Sequence, residues 1–212
     1  MRFFCFRMPE SGTIALVTLY DKDIREPLFE YLESRYEKLR ILEEVTIGKS
    51  RADAVLVSED GLCGIEIKSD ADTYSRLLGQ VKNYNRYFDR NLLVVGTRHA
   101  HHCAEHVPEW WGILTVEQEG HRVDIYEYRA PAPNPKVQLK WQIRLLWRPE
   151  LAELQKRFQL PKYAQKSKQF VQQALLERVE PDQLRKGIAD QLMERDYTLI
   201  EAEIDAFRKG RR

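Results

Sequence analysis

Apolar and polar residues alternate along the chain with a period that changes, and the period assigns most of the elements. In "DKDIREPLFEYLESRYEKLR", from Asp21 to Arg40, Ile24, Leu28, Leu32 and Leu39 recur at helical spacing and define one apolar face. Pro27 has no N–H and is tolerated in a first turn, so this helix is predicted to begin near Asp23 or Ile24. The period then shortens to two. Strands are predicted at 44–47, 51–57 and 62–68, joined by hairpin turns at "GK" and "SEDG". A helix over 73–88 follows. Next comes "NLLVVGT", an unbroken apolar run suited to a central strand covered on both faces. A short helix around "HAHHCAEH" precedes a strand in "PEWWGILTV", and "HRVDIYEYRA" reads as an edge strand. "TIALVTLY", Thr13–Tyr20, is apolar but has no period that assigns it to an element.

At "PAPNPK", Pro131–Lys136, the composition breaks. From Arg148 onward the pattern is charged and helical, through "PELAELQKRF", "SKQFVQQALLERV", "PDQLRKGIADQLMERDY" and "TLIEAEIDAFRKG". The predicted organisation is an α/β core over 1–130, a connecting basic segment over 131–148 and a helical region over 149–212. The two helices around Pro181-Asp182 have the outline of a helix–turn–helix unit. They are read here as ordinary helical packing, with a protein partner or a second copy of the chain as further possibilities.

Charge and cysteine content narrow the class. The 212 residues carry a net charge of +1, so no global field draws the chain to nucleic acid, and any such binding must use local patches. Arg129, Lys136, Lys140, Arg144 and Arg148 form one candidate, a stretch without an acidic residue, and Arg208–Arg212 is a second basic run. Three widely spaced cysteines, Cys5, Cys63 and Cys103, make neither a disulfide framework nor a zinc ribbon. With no apolar run of membrane-spanning length, a cytoplasmic protein without a membrane partner is expected.

The candidate chemistry lies in the predicted hairpin. Side chains alternate faces along a strand, so Glu66 and Lys68 share one face of 62–68 while Ile65 and Ile67 share the other. Counting back through "SEDG" sets Val57 opposite Leu62, Val55 opposite Gly64 and Asp53 opposite Glu66. Counting through a two-residue "GK" turn sets Ile47 opposite Ser50 and Glu44 opposite Asp53. Three acids would then form a row on one face. Directly opposed residues have Cβ atoms roughly 4.5–5.5 Å apart, where like charges destabilise the sheet. A cation resolves this, either Lys68 or a hard divalent ion such as Mg²⁺ or Mn²⁺. A charged face simply pointing into water is the alternative.

An Asp on one strand followed by Glu66-Ile67-Lys68 on the next resembles the PD-(D/E)XK nuclease superfamily, with Ala52 where the motif usually has Pro. Gln80 and Tyr84, one turn apart on the following helix, resemble the Q-x-x-x-Y signature of its RecB-like branch. A denser resemblance over about 51–114, through "RADAVLV", "EIKSDADT", "RLLGQVKNY" and "PEWWG", is to a largely uncharacterised bacterial and phage family of such nuclease-like proteins. The resemblance implies a restriction-endonuclease-like core, a mixed central sheet flanked by helices. It implies a Mg²⁺- or Mn²⁺-dependent deoxyribonuclease in which Asp53, Glu66 and the Ile67 carbonyl hold the metal. Lys68 would assist the water, and Gln80 and Tyr84 would line the DNA channel. On the same basis Arg51, Ser69, Asp70, Asp72, Thr73 and Arg76 belong to the site region. Arg76 could grip a phosphate bidentately or pair with Asp72. Glu44 is added to the metal ligands by the register count alone. A further acid from the first helix stays open among Asp21, Asp23 and Glu26, with Glu30 disfavoured because it points away from the apolar face. The alternative function is a nuclease-fold protein without catalysis, acting in nucleic-acid binding or assembly.

The cluster His99, His101, His102, Cys103 and His106 has helical ligand spacing, but no second Cys/His group completes a zinc site. Trp110 and Trp111 could stack on bases, although packing at the sheet edge is the plainer role beside Pro108.

Overall fold

The computed structural model describes residues 18–120 and 122–197, so Thr13–Val17, the last predicted helix and the basic terminus lie outside the described residues. Six strands form one mixed sheet in chain order: β1 Leu39–Ile47, β2 Ser50–Ser58, β3 Gly61–Lys68, β4 Arg90–Gly96, β5 Gly112–Glu119 and β6 Arg122–Arg129. The β1–β2, β2–β3 and β5–β6 pairs are antiparallel, and the central β3–β4 and β4–β5 pairs are parallel. This is the expected mixed sheet flanked by helices, with further helices at the C-terminal side.

Alternation along the strands splits the core in two. Ala54, Leu56, Ile65, Ile67, Leu92 and Val94 face one way and pack against Ile24, Leu28 and Leu32 of α1, Asp21–Glu33. Val55, Val57, Leu62, Leu93 and Val95 face the other way, under α2, Leu77–Tyr87, and the C-terminal helices. Those are α3 Leu139–Gln142, α4 Arg148–Arg157, α5 Lys168–Arg178 and α6 Pro181–Met193. Leu151, Leu154, Val171, Leu175, Leu184, Ile188 and Leu192 belong to the same apolar cluster as the sheet residues. The composition break at Pro131 is therefore no break in the core.

Several local expectations change. Pro27 lies inside α1, which begins at Asp21, so the proline is not confined to the first turn. The helix ends at Glu33, and Leu39 opens a strand instead of closing an apolar helical face. The second helix starts at Leu77 rather than Thr73, because 69–76 is held by side chains. Asp72 accepts from the Ser69 N–H and hydroxyl, and the Tyr74 hydroxyl donates to the His99 carbonyl. "HAHHCAEH" forms two single-turn 3-10 helices, Thr97–His99 and Cys103–Glu105, instead of one helix.

Two glycines fix the path near the site. Gly48 takes φ +63° in the two-residue turn from Ile47 to Ser50. At Gly64 any Cβ would run into the Phe88 ring, so the helix end seats directly on β3. Asn134 locks that end by donating to the carbonyls of Asn85 (2.9 Å) and Phe88 (2.7 Å).

Candidate metal centre

The expected register is present. Val57 pairs with Leu62 and Val55 with Gly64, and continuing that count sets Asp53 against Glu66. Glu43 pairs with Ala54 and Val45 with Ala52, which sets Glu44 against Asp53. Asp53, Glu66 and Lys68 have the parity of Val55, Val57 and Leu62, so they lie on the α2 face.

Glu66 is the most enclosed member, at 1% exposure. Its Oε1 accepts from Lys68 Nζ at 2.5 Å and from Gln80 Nε2 at 2.5 Å, and Lys68 also donates to Gln80 Oε1 at 3.3 Å. The Tyr84 hydroxyl shares its proton between Glu66 Oε2 (2.7 Å) and the Ile65 carbonyl (2.9 Å). The four-residue spacing of Gln80 and Tyr84 thus lets one helix face hold both oxygens of one carboxylate. Tyr84 is completely buried with its hydroxyl on Glu66, so the nucleic-acid contact expected of it is not open to it here. Burial and the adjacent Glu66 and Asp53 keep that phenol protonated far above the usual range.

Asp53 is half-buried where β2 faces β3. Its Oδ2 accepts from the Ile67 N–H at 2.7 Å, and among the described residues no donor reaches Oδ1. Burial, then repulsion from Glu66, pushes the Asp53 carboxyl up to about 7, while the Ile67 N–H, Lys68 and Arg25 pull it back. Like charges at close range disfavour ionisation of one partner, and a bound cation reverses the effect.

Glu44 departs from the row. It sits at φ 55°, which breaks the alternation of β1, and its carboxylate meets Arg25 Nη2 at 2.7 Å and Arg51 Nε at 2.5 Å. One partner is Arg25, which composition and spacing did not single out. Its guanidinium also takes Asp21 (2.6 Å), Glu43 (3.1 Å) and the Asp53 carbonyl (3.2 Å). Asp21, one of the open first-helix acids, is thereby committed to this ion pair. No cluster of three or more His, Cys, Asp or Glu side chains able to hold a metal forms among the described residues. With Glu44 taken by Arg25 and Arg51, the acids left on the expected row are Asp53 and Glu66.

The remaining site-region residues divide by burial. Arg76 is exposed at the start of α2 and has no partner among the described residues, since Asp72 is turned to Ser69. Arg51 is exposed and held by Glu44. Thr73 lies at the surface against Ser75. Asp70 is buried and structural: it accepts from the N–H groups of Leu19 and Arg98, both at 2.9 Å, tying the lead into α1 to the exit of β4. The histidines serve the same loop. His99 and His106 flank the Tyr74 ring with centroids 4.7 and 4.0 Å away. Trp111 is buried against Tyr84 and donates to Asn85 at 2.8 Å.

The donor set suits a hard divalent ion. A carboxylate offers about four lone-pair sites. Glu66 uses three of them and Asp53 one, which leaves oxygen on both carboxylates for a cation. Oxygen donors of this kind select Mg²⁺ or Mn²⁺ over softer metals.

No helix among the described residues is long and apolar enough to cross a membrane. No curated protein matches the chain. Among solved structures, Pyrococcus furiosus SfsA in complex with Ca²⁺ is similar at 16% identity and a TM-score of 0.33, over 55% of this chain. The match spans 63% of the SfsA chain. The family described as Bacteriophage P4 protein cII matches residues 16–205, nearly the whole sequence. The chain therefore belongs to the bacteriophage P4 protein cII family.

Proposed function

We propose that the protein is a Mg²⁺- or Mn²⁺-dependent nuclease of the PD-(D/E)XK type that hydrolyses phosphodiester bonds in DNA. One observation carries this reading. A β-hairpin brings Asp53 and Glu66 to one sheet face beside Lys68, close enough that Glu66 helps push the Asp53 carboxyl up to about 7. A sheet that gained only stability from these positions would be better served by apolar residues, since a buried ion pair seldom repays its desolvation.

Asp53, Glu66 and the Ile67 carbonyl would hold the metal, which supplies an acidified water and neutralises charge on the phosphate. Lys68 Nζ, held by Glu66 and Gln80, would orient that water or stabilise charge as the P–O bond breaks. Gln80 joins Glu66 to Lys68 and keeps both rotamers fixed. Tyr84 holds the second Glu66 oxygen. Arg76 and Arg51, both exposed, would grip the phosphates of the strand.

A second reading is a nuclease-fold protein retained for nucleic-acid binding or assembly. It is favoured by the three donors that already satisfy Glu66 without any ion. Cleavage of end-labelled single- and double-stranded DNA with Mg²⁺ or Mn²⁺ separates the two. The wild type should cut, and Asp53→Ala and Lys68→Ala should each lose at least a hundredfold in rate. A wild type that cuts neither substrate, or variants that cut as well as it does, would leave the second reading standing.

A further inference from the structure

The fold gathers five cations that the candidate metal centre does not use. Lys82 and Arg86 lie one turn apart on the exposed side of α2, away from Gln80 and Tyr84. Lys136, Lys140 and Arg144 come from the acid-free segment, and all three are exposed. The other two cations of that segment are committed inward: Arg129 donates to the carbonyls of Trp111 and Pro108, and Arg148 to that of Tyr163. None of the five pairs with an acid among the described residues, whereas Arg25, Arg35, Arg51, Arg157, Arg185 and Arg195 all do. On a chain of net charge +1, this is a local concentration of uncompensated positive charge.

The patch is concave and preorganised. An open cavity of about 380 Å³ lies between Lys82, Asn85 and Arg86 on one wall and 135–138 on the other. The second wall is tied to the helix, with the Gln138 N–H on the Arg86 carbonyl at 3.0 Å and the Lys136 N–H on Asn134 Oδ1 at 2.9 Å. Indole faces hold the cations: Arg144 and Arg86 lie 4.2 and 5.5 Å over Trp141, and Lys136 lies 5.1 Å over Trp110. Cations stacked on aromatic rings keep their charge while losing conformational freedom in advance of binding.

We propose that this surface, formed by the outer side of α2 and residues 136–144, binds the phosphate backbone of a nucleic acid independently of the metal. The identity of the anion rests on the nuclease reading; the existence of an anion-binding surface does not. Lys82 and Arg86 are about 6 Å apart along the helix axis, given 1.5 Å per residue, which is near two phosphate steps of 3.4 Å on one strand of a duplex. The same cations, held on the half-buried indoles of Trp110 and Trp141, can also track the backbone of a single strand.

The test is fluorescence anisotropy with a labelled 15-nucleotide single strand and a 15-base-pair duplex, in EDTA, across a salt series. Wild type is expected to bind at least one of them. Lys82→Glu/Lys136→Glu should weaken binding at least tenfold and reduce the salt slope by about two, one for each phosphate contact removed. Lys186→Glu, an exposed cation on α6, should change neither quantity. The milder Lys82→Gln/Lys136→Gln variant, checked by thermal melting, separates lost binding from lost folding. Unchanged binding in both double variants overturns the proposal, as does absence of wild-type binding, or equal loss in Lys186→Glu. Binding to an acidic peptide or to anionic vesicles but to neither oligonucleotide overturns the nucleic-acid assignment. Cleavage is read separately on the same samples, so loss of binding with intact metal-dependent cutting of short substrates is distinct from failure of the nuclease reading.

Discussion

Asp53 carries a cost in the protein without metal that its function would recover. Its carboxyl is held near 7 in the fold, against an ordinary value of 3.8. Between those values the unfolded chain has released the proton while the folded chain keeps it, so stability falls as pH rises from about 4 to 7 and is level above that. Asp53→Asn is therefore expected to raise the melting temperature of the metal-free protein at pH 8 and to leave it nearly unchanged at pH 4. Equal effects at both pH values would contradict this origin. Tyr84→Phe should act oppositely. It leaves Glu66 Oε2 without its donor at a buried site, at a cost of about 1–3 kcal/mol, measurable by urea denaturation at pH 7.5. Arg25 belongs to this scale too. By taking Glu44, Glu43 and Asp21 it occupies acids that could otherwise have served a second ion. Arg25→Met should release Glu44 and increase the number of Mn²⁺ ions bound, while wild type binds one.

At the scale of elements, the hairpin was legible and the entries to the helices were not. Alternation in "ADAVLV" and "GIEIK" sets the register without ambiguity, because a one-residue slip would turn Ile65 and Ile67 off the α1 core. The same count could not reveal that Glu44 would take a positive φ and pair with Arg25, 19 residues away. The helix expected from Thr73 begins at Leu77: Asp72 turns back locally to Ser69, and the rings of His99 and His106, distant in sequence, pack on Tyr74. The motif residues Gln80 and Tyr84 could be picked out by spacing, whereas the role of Tyr84 depended on its burial. Asp89 had no signal in the sequence at all, yet its carboxylate joins the Leu62 N–H (2.9 Å), Gln142 (2.9 Å) and Arg185 (2.6 Å), linking β3, α3 and α6. Such junction residues become visible only once the chain has closed on itself.

Over the whole molecule, the C-terminal helices complete the core on the face that carries the candidate metal centre. Glu150 and Arg195 make this concrete. They form a bidentate pair at 2.6 and 2.8 Å with each side chain at most 6% exposed, and Arg195 also reaches the Leu145 carbonyl at 2.8 Å. Removing one partner strands a buried charge, so Arg195→Ala is expected to cost about 3–5 kcal/mol in urea denaturation. It should do so in one cooperative transition that includes the sheet; a separate early transition for the helices would show instead that they fold as a unit of their own. By the same reasoning, removal of everything after Pro149 should expose Val55 and Val57 and unfold the hairpin that bears Asp53 and Glu66.

Everything proposed about catalysis depends on a cation between Asp53 and Glu66. Calorimetric titration of Mn²⁺ into the metal-free protein at pH 7.5 tests that most directly. The expected result is one ion per chain, with binding abolished in both Asp53→Asn and Glu66→Gln. No binding to the wild type, or binding that survives both substitutions, would contradict the account.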